Sequence, residues 1–186
     1  MKFIIIFGPP AIGKMSVGRE LAEMTGCKLL HGHMTIELVL EFFDYGTPKF
    51  KVLNREFRLR IMEEVATSDL PGLIYTYVWG FNLESEKKYV DGICDIFTKE
   101  GGDVYFVELF CELDERLRRN KTSERLSVKP SKRQIEESEA RLLEIEDRYV
   151  MNTQGDFYYK ENYIRIDNTH LSQREVAEKI KKEFNL

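Results

Sequence analysis

Between residues 8 and 16 the chain reads Gly8-Pro9-Pro10-Ala11-Ile12-Gly13-Lys14-Met15-Ser16, which contains the spacing G-x-x-x-x-G-K in full. Glycines at both ends of such a loop allow backbone angles that other residues resist, so the chain can wrap closely around a phosphate. The loop N–H groups then converge as an anion nest at a helix N-terminus. Lys14 adds a point charge for the β and γ phosphates of a nucleotide. With glycine at about 7% and lysine at roughly one residue in twenty, chance produces on the order of 0.05 such matches in a chain this long. That disfavours the alternative, a purely structural Gly-Pro loop. The residue after the lysine is commonly Ser or Thr, whose hydroxyl binds Mg²⁺. Here it is Met15, with Ser16 one place later.

A second group of candidates follows at His31-Gly32-His33-Met34-Thr35, with Glu37 one turn on. Histidine titrates near neutrality, which makes His33 a candidate base for an acceptor hydroxyl. The competing reading is a hydrogen-bonded loop histidine. Glu37 is the fallback base, against a solvated helix face. His31 and His33 lack an evident third ligand, so no metal site is assigned to them. Tyr77, Trp79 and Phe81 stand at the end of a predicted strand, where open α/β sheets bind ligands. There they suit an acceptor with a flat or apolar part; core packing is the rival role. Glu108 falls inside another predicted strand and needs a partner, either Mg²⁺ or an ion pair.

The elements that must position these residues alternate. Phe3 to Phe7 reads as a buried strand and leads through the loop into a helix from about Gly13 to Met24, stopped by Gly26. A strand over Lys28 to His31 precedes a helix over Met34 to Phe43. The next helix carries a stripe of Phe50, Leu53, Phe57, Ile61 and Val65. Strands are expected at Leu73 to Trp79, Val104 to Phe110 and Tyr163 to Ile166, with a helix from about Leu83 to Lys99. Ser172 to Glu175 is a capping box for a last helix with Val176, Ile180 and Phe184 inside, and Ser131 to Gln134 reads as another. From Glu112 to Arg148, 20 of 37 residues are charged, the one stretch of distinct character. Five strands separated by helices predict a parallel sheet covered on both faces.

At 186 residues the chain has the length of one domain, residues 1–186, with a possible subregion at about 112–150. A net charge of −4 argues against a broad nucleic-acid-binding surface. The apolar run Phe3 to Phe7 is too short for a signal peptide or membrane span, so a cytoplasmic location and no membrane partner are expected. Cys27, Cys94 and Cys111 are odd in number and widely spaced, which fits reduced thiols.

Loop, alternation and length together resemble the P-loop small-molecule kinase superfamily: adenylate and other nucleoside monophosphate kinases, shikimate kinases and chloramphenicol phosphotransferase-like proteins. The chain also looks like bacterial AAA-type ATP-binding proteins. The resemblance implies a P-loop NTPase three-layer sandwich with a charged helical lid, binding ATP and Mg²⁺ and phosphorylating a small-molecule hydroxyl. The loop is similar to the GPPGxGKGT loop of adenylate kinases. In that register Ser16 lies near the α-phosphate, and Mg²⁺ is held largely through water and ATP. The lid would fall at Glu112 to Arg148, where Arg119 and Arg125, and less strongly Arg116, are candidates to neutralise the transferred phosphoryl group. The alternative for these arginines is a solvated, ion-paired helix. Asp167 and Asn168 resemble the family's turn beside the adenine. Two family features are missing. No Asp-Gly-Phe-Pro-Arg segment follows the third strand, which disfavours a nucleoside monophosphate acceptor. No Asp follows the second strand, where His33 and Glu37 stand instead. Rival readings are a nucleotide hydrolase or switch and a non-catalytic ATP-binding module; a nucleic-acid kinase is weaker given the charge. Monomer and homodimer both remain open.

Overall fold

The computed structural model describes residues 1–186, apart from the side chain of Glu124. Lys2–Phe7 forms β1, with five of its six residues buried. Phe3, Ile5 and Phe7 enter one core and Ile4 and Ile6 the other, because successive strand side chains point to opposite faces. The remaining strands are β2 (Lys28–His31), β3 (Gly72–Tyr77), β4 (Asp103–Phe110) and β5 (Tyr163–Asp167). All pair in parallel, in the order β2-β3-β1-β4-β5. The helices are α1 (Lys14–Thr25), α2 (Gly32–Leu40), α3 (Pro48–Ala66), α4 (Glu84–Lys99), α5 (Leu113–Asn120), α6 (Ser123–Val128), α7 (Ile135–Arg148) and α8 (Gln173–Glu183).

Helices α1 and α8 cover the Ile4 face through Val17, Leu21, Val176 and Ile180. Helices α3 and α4 cover the Phe3 face through Met62, Val90, Ile93 and Phe97. The fold is thus an α/β sandwich with a five-stranded parallel sheet. The chain leaves β1 toward β2 on one side and leaves β4 toward β5 on the other. The strand order therefore reverses between β1 and β4, and crevices at such points hold ligands. The three cysteines are buried thiols. No described helix is long and apolar enough to cross a membrane.

Several boundaries differ from expectation. β3 ends at Tyr77, not Trp79, because the last residues of its neighbours pair with Thr76 and Tyr77 and no partner strand continues. Helix α2 ends at Leu40 rather than Phe43. In α3, Phe57 and Ile61 are exposed, and the buried positions are Phe50, Met62 and Ala66. The face turned toward α2 carries Asn54 and Arg58, both hydrogen-bonded to Thr35 Oγ1, and hydrophobic periodicity does not register polar residues of that kind. The capping box at Ser172 and Glu175 is present. The one at Ser131 is not: α7 starts at Ile135, and Ser131 Oγ donates to Glu37 Oε1 at 2.5 Å.

Glu108 is fully buried in β4, and the ion pair expected as one of its two roles is present, with Arg165 Nε 3.4 Å from its Oε1. Its carboxylate accepts from Asn152 Nδ2 (2.9 Å), Thr153 N (2.8 Å), Thr153 Oγ1 (2.7 Å) and the Tyr163 hydroxyl (2.6 Å). A buried carboxylate is tolerated when donors surround it in this way. Here the donors tie the chain after α7 to the sheet.

Candidate active site

The loop from β1 to α1 supplies the nest. Gly8 has φ +139°, and a Cβ there would lie 2.5 Å from the Leu109 carbonyl oxygen, so the turn at the end of β1 requires glycine. Gly13 caps α1 at φ +101°. Helix α1 carries no acid in its first turn to compete for its N–H groups. The Lys14 ammonium is drawn over the loop and donates to the Gly8 and Pro9 carbonyls, each at 2.7 Å. Burial, then Lys129, Arg125 and Arg116, push its pKa well below the ordinary lysine value. Pro10, Ala11, Ile12, Met15 and Ser16 line a cavity of about 810 Å³ beside it, in the upper part of the roughly 300–1,000 Å³ range of small-ligand sites.

Two arginines brace this loop. Arg119 Nη1 donates to the Ile12 carbonyl (3.0 Å), and its Nη2 to the carbonyls of Asn168 (2.8 Å) and Thr169 (3.1 Å). Its Nε meets Glu115 at 2.7 Å. Arg119 also lines the cavity, and in this structure its donors tie the loop, α5 and the turn after β5 together. Arg116 is likewise structural, bridging the Pro10 carbonyl (3.2 Å) and Glu146 (2.6 Å). Arg125, on α6, lines the cavity and forms no ion pair with a described residue; its buried Nε has no hydrogen-bond partner.

The turn after β5 places one of its two candidates. Asn168 Nδ2 donates to the Ile12 carbonyl at 2.8 Å, while its buried Oδ1 lacks a partner and the residue lines the cavity. Asp167 is exposed, outside the cavity lining, and accepts from Thr169 N at 2.9 Å. It shapes the turn, and that hydrogen bond holds its carboxyl below the usual range.

On the far side, α2 brings His31, Gly32 and His33 to the cavity. His33 Nδ1–H donates to Glu37 Oε1 at 2.9 Å, which leaves the lone pair on Nε2. Burial, with Lys129, Lys132 and Arg125 beside it, lowers the His33 pKa to about 2 despite Glu37, so the ring is neutral. His31 is lowered to about 4, by burial first and then by Lys129 and Arg19. Glu37 stands just outside the lining and joins His33 to Ser131. Among the described residues no group of three or more His, Cys, Asp or Glu side chains is arranged to hold a metal.

The aromatic expectation is corrected in part. Tyr77 lines the cavity, but its hydroxyl is engaged by Glu86. Trp79 is fully buried and stacks on Phe81 (4.9 Å), with Phe7 and Phe157 against both. Neither Trp79 nor Phe81 reaches the cavity, because the chain turns off the sheet after Tyr77. Sequence reasoning missed Arg58, Lys129, Lys132 and Arg141, which all line the cavity. For Arg58 a signal existed, its i,i+4 spacing between Asn54 and Met62 on one helix face.

No protein-family model and no curated protein matches the chain. Solved structures do. A shikimate kinase from Acinetobacter baumannii in complex with shikimate is 20% identical over 99% of this chain and 92% of that one, with a TM-score of 0.53. A gluconokinase from Sinorhizobium meliloti is 16% identical over 96% and 89%, at 0.59. The Mycobacterium tuberculosis APS kinase in complex with AMPPNP and APS is 16% identical over 100% and 98%, at 0.60. The chain shares their P-loop kinase fold along nearly its whole length.

Proposed function

We propose that the protein is an ATP-dependent phosphotransferase acting on a hydroxyl of a small molecule. The observation that carries this reading is one cavity lined at one end by a phosphate nest with Lys14 and at the other by a neutral, carboxylate-oriented His33. The fold neighbours named as kinases of shikimate, gluconate and APS support it. The loop N–H groups and Lys14 hold the β and γ phosphates, with the Lys14 ammonium leaving the Gly8 and Pro9 carbonyls for phosphate oxygens. Asn168 Oδ1 accepts from the nucleotide's base. Ser16 is the one loop hydroxyl near Lys14 and already has a partner, and Glu115 and Glu108 are engaged by other groups. That set fits an ion kept mainly by phosphate oxygens and its own waters, and the ion supplies charge neutralisation on the β and γ phosphates. His33 Nε2 takes the proton of the attacking hydroxyl, and Glu37 holds the ring in the tautomer that can do so. Arg125, which forms no ion pair with a described residue, neutralises charge on the group in transit.

The test is thermal unfolding with ATP and Mg²⁺, followed by acceptor-stimulated ADP release. A hundredfold ligand excess stabilises by about 2.7 kcal/mol, and Lys14→Ala removes most of that shift. An unchanged melting curve at millimolar ATP overturns the loop assignment. ADP release that no hydroxyl compound stimulates favours a hydrolase.

A further inference from the structure

Helix α2 begins at Gly32, where the sequence predicts a start at Met34, and the added residues include His33. Local sequence does not favour that early start. The N-cap is His31, whose side chain makes no capping hydrogen bond, the first turn holds no acid, and Gly32 is a poor helix former. Apolar packing does not supply it either. Met34 is half exposed, and only Thr35 and Val39 of this helix are buried. The first turn is therefore held through the one polar side chain that it buries.

That side chain meets α3. Thr35 is 3% exposed, and its hydroxyl donates to Asn54 Oδ1 at 2.7 Å and accepts from Arg58 Nε at 2.9 Å. Arg58 Nη2 donates to the Gly32 carbonyl at 3.0 Å. One guanidinium thus grips the turn at residues 32 and 35, with His33 between them. The ring depends on this grip. His33 and Glu37 stand one turn apart, and the 2.9 Å bond from Nδ1–H to Oε1 needs both residues in the helix. If the first turn unwinds, the ring loses its carboxylate, and the proton of the neutral imidazole is free to sit on either nitrogen. A ring protonated at Nε2 has no lone pair there to take a proton from a hydroxyl.

We propose that Thr35 and Arg58 are positioning residues for the His33 base: they hold the first turn of α2 as helix, and so keep the ring on Glu37 with its lone pair on Nε2. This rests on the kinase reading above and deepens it, because the placement of the base is set from α3 and not from α2 alone. Arg58 lines the cavity, yet the donors described above are spent on the helix that carries the base.

The experiment reads the ring proton directly, by nitrogen NMR of histidine-labelled protein, where three histidines must be resolved: His31, His33 and His170. At pH 8.5 even an unperturbed imidazole is neutral, so the signals report the tautomer. In the wild type His33 is protonated at Nδ1. Thr35→Val keeps the shape of the side chain and removes its hydrogen bonds. The Nδ1–H to Nε2–H ratio of His33 then falls about tenfold or more, as loss of a hydrogen bond to a charged group implies. Arg58→Lys keeps the charge but presents one nitrogen to two acceptors, and lowers the ratio by less. Thr35→Ser retains the wild-type ratio, as does Thr67→Val, which removes an exposed hydroxyl just beyond α3. His170 keeps its signals throughout. A wild-type His33 ratio in both Thr35→Val and Arg58→Lys, even with a lowered melting temperature, overturns the proposal, and so does a fall in Thr35→Ser equal to that in Thr35→Val. The measurement needs neither nucleotide nor acceptor. A tautomer response in a protein that ATP does not stabilise upholds the positioning of the ring and overturns the kinase reading instead.

Discussion

The two ends of the cavity are built by different means. At the nucleotide end the polar groups are backbone amides and carbonyls held by side chains whose donors are nearly all engaged, Arg119 on three carbonyls and Arg116 on one. At the acceptor end the polar groups are side chains on α2, α7 and the segment before α7, where Lys132 and Arg141 form no ion pair with a described residue. A phosphate nest must be preorganised to work, because its amides cannot be moved singly. An acceptor site can instead leave its charges unmatched until a ligand arrives, at a cost in stability. The same residue type therefore stands in opposite settings on consecutive helices: Arg119 on α5 fastens a loop, and Arg125 on α6 forms no ion pair with a described residue.

The largest effect expected from breaking this contrast is at the acceptor end. His33→Ala lowers turnover by about 10²–10⁴-fold with nucleotide affinity intact, and Glu37→Gln lowers it less, since it leaves the ring in place. Steady-state kinetics of both with a phosphorylated acceptor check this; a larger loss for Glu37→Gln moves the base to Glu37. Next come the two arginines. Arg125→Ala costs roughly 10²–10³-fold in turnover and leaves the melting temperature unchanged or raised. Arg119→Ala costs about 1–3 kcal/mol of stability through orphaned carbonyls, with Tm falling roughly 2–4 °C per kcal/mol in a chain of this size. Calorimetry on both variants checks the division of labour, and the reverse pattern overturns it.

The smallest effect is a pH slope. Burial first, then Arg125 and Lys132, lower the Lys129 pKa from 10.5 to about 7. Between those values the unfolded chain holds a proton that the folded chain has released. Stability of the ligand-free protein therefore rises as pH increases through the window from about 7 to 10.5 and is lost again as pH falls toward 7. Lys129→Met flattens that slope in denaturant titrations at pH 7, 8.5 and 10. An identical slope in the variant assigns the effect elsewhere.

The phosphate loop, its strand and its helix were legible in the sequence because one short motif between two apolar patterns determines them. β1, β3 and β4 were legible as apolar or β-forming runs bounded by turns, and the shorter β2 and β5 by their place in the alternation of strands and helices. His33 and Glu37 were singled out as rival bases by their place after β2, while the hydrogen bond that joins them came from the structure. The acceptor end was not. Trp79 and Tyr77 look alike in sequence, yet the strand ends between them and only Tyr77 reaches the cavity. Arg119 and Arg125 also look alike, and only the carbonyls across the loop separate them. Lys132 and Arg141 belong to a run of charges that a solvated helix explains equally well; their shared cavity comes from tertiary placement.

The buried Glu108 has a consequence beyond its own hydrogen bonds. It secures the chain at Asn152 and Thr153, just as Arg116 and Arg119 secure it on α5. Residues 121–150 are thus suspended between two fixed posts and contribute Lys132 and Arg141 but no strand of the sheet. A stretch bounded in that way concentrates change: substitutions between the posts reach the acceptor end through Lys132 and Arg141 and reach the phosphate loop only through Arg125, Lys129 and the Arg116–Glu146 pair.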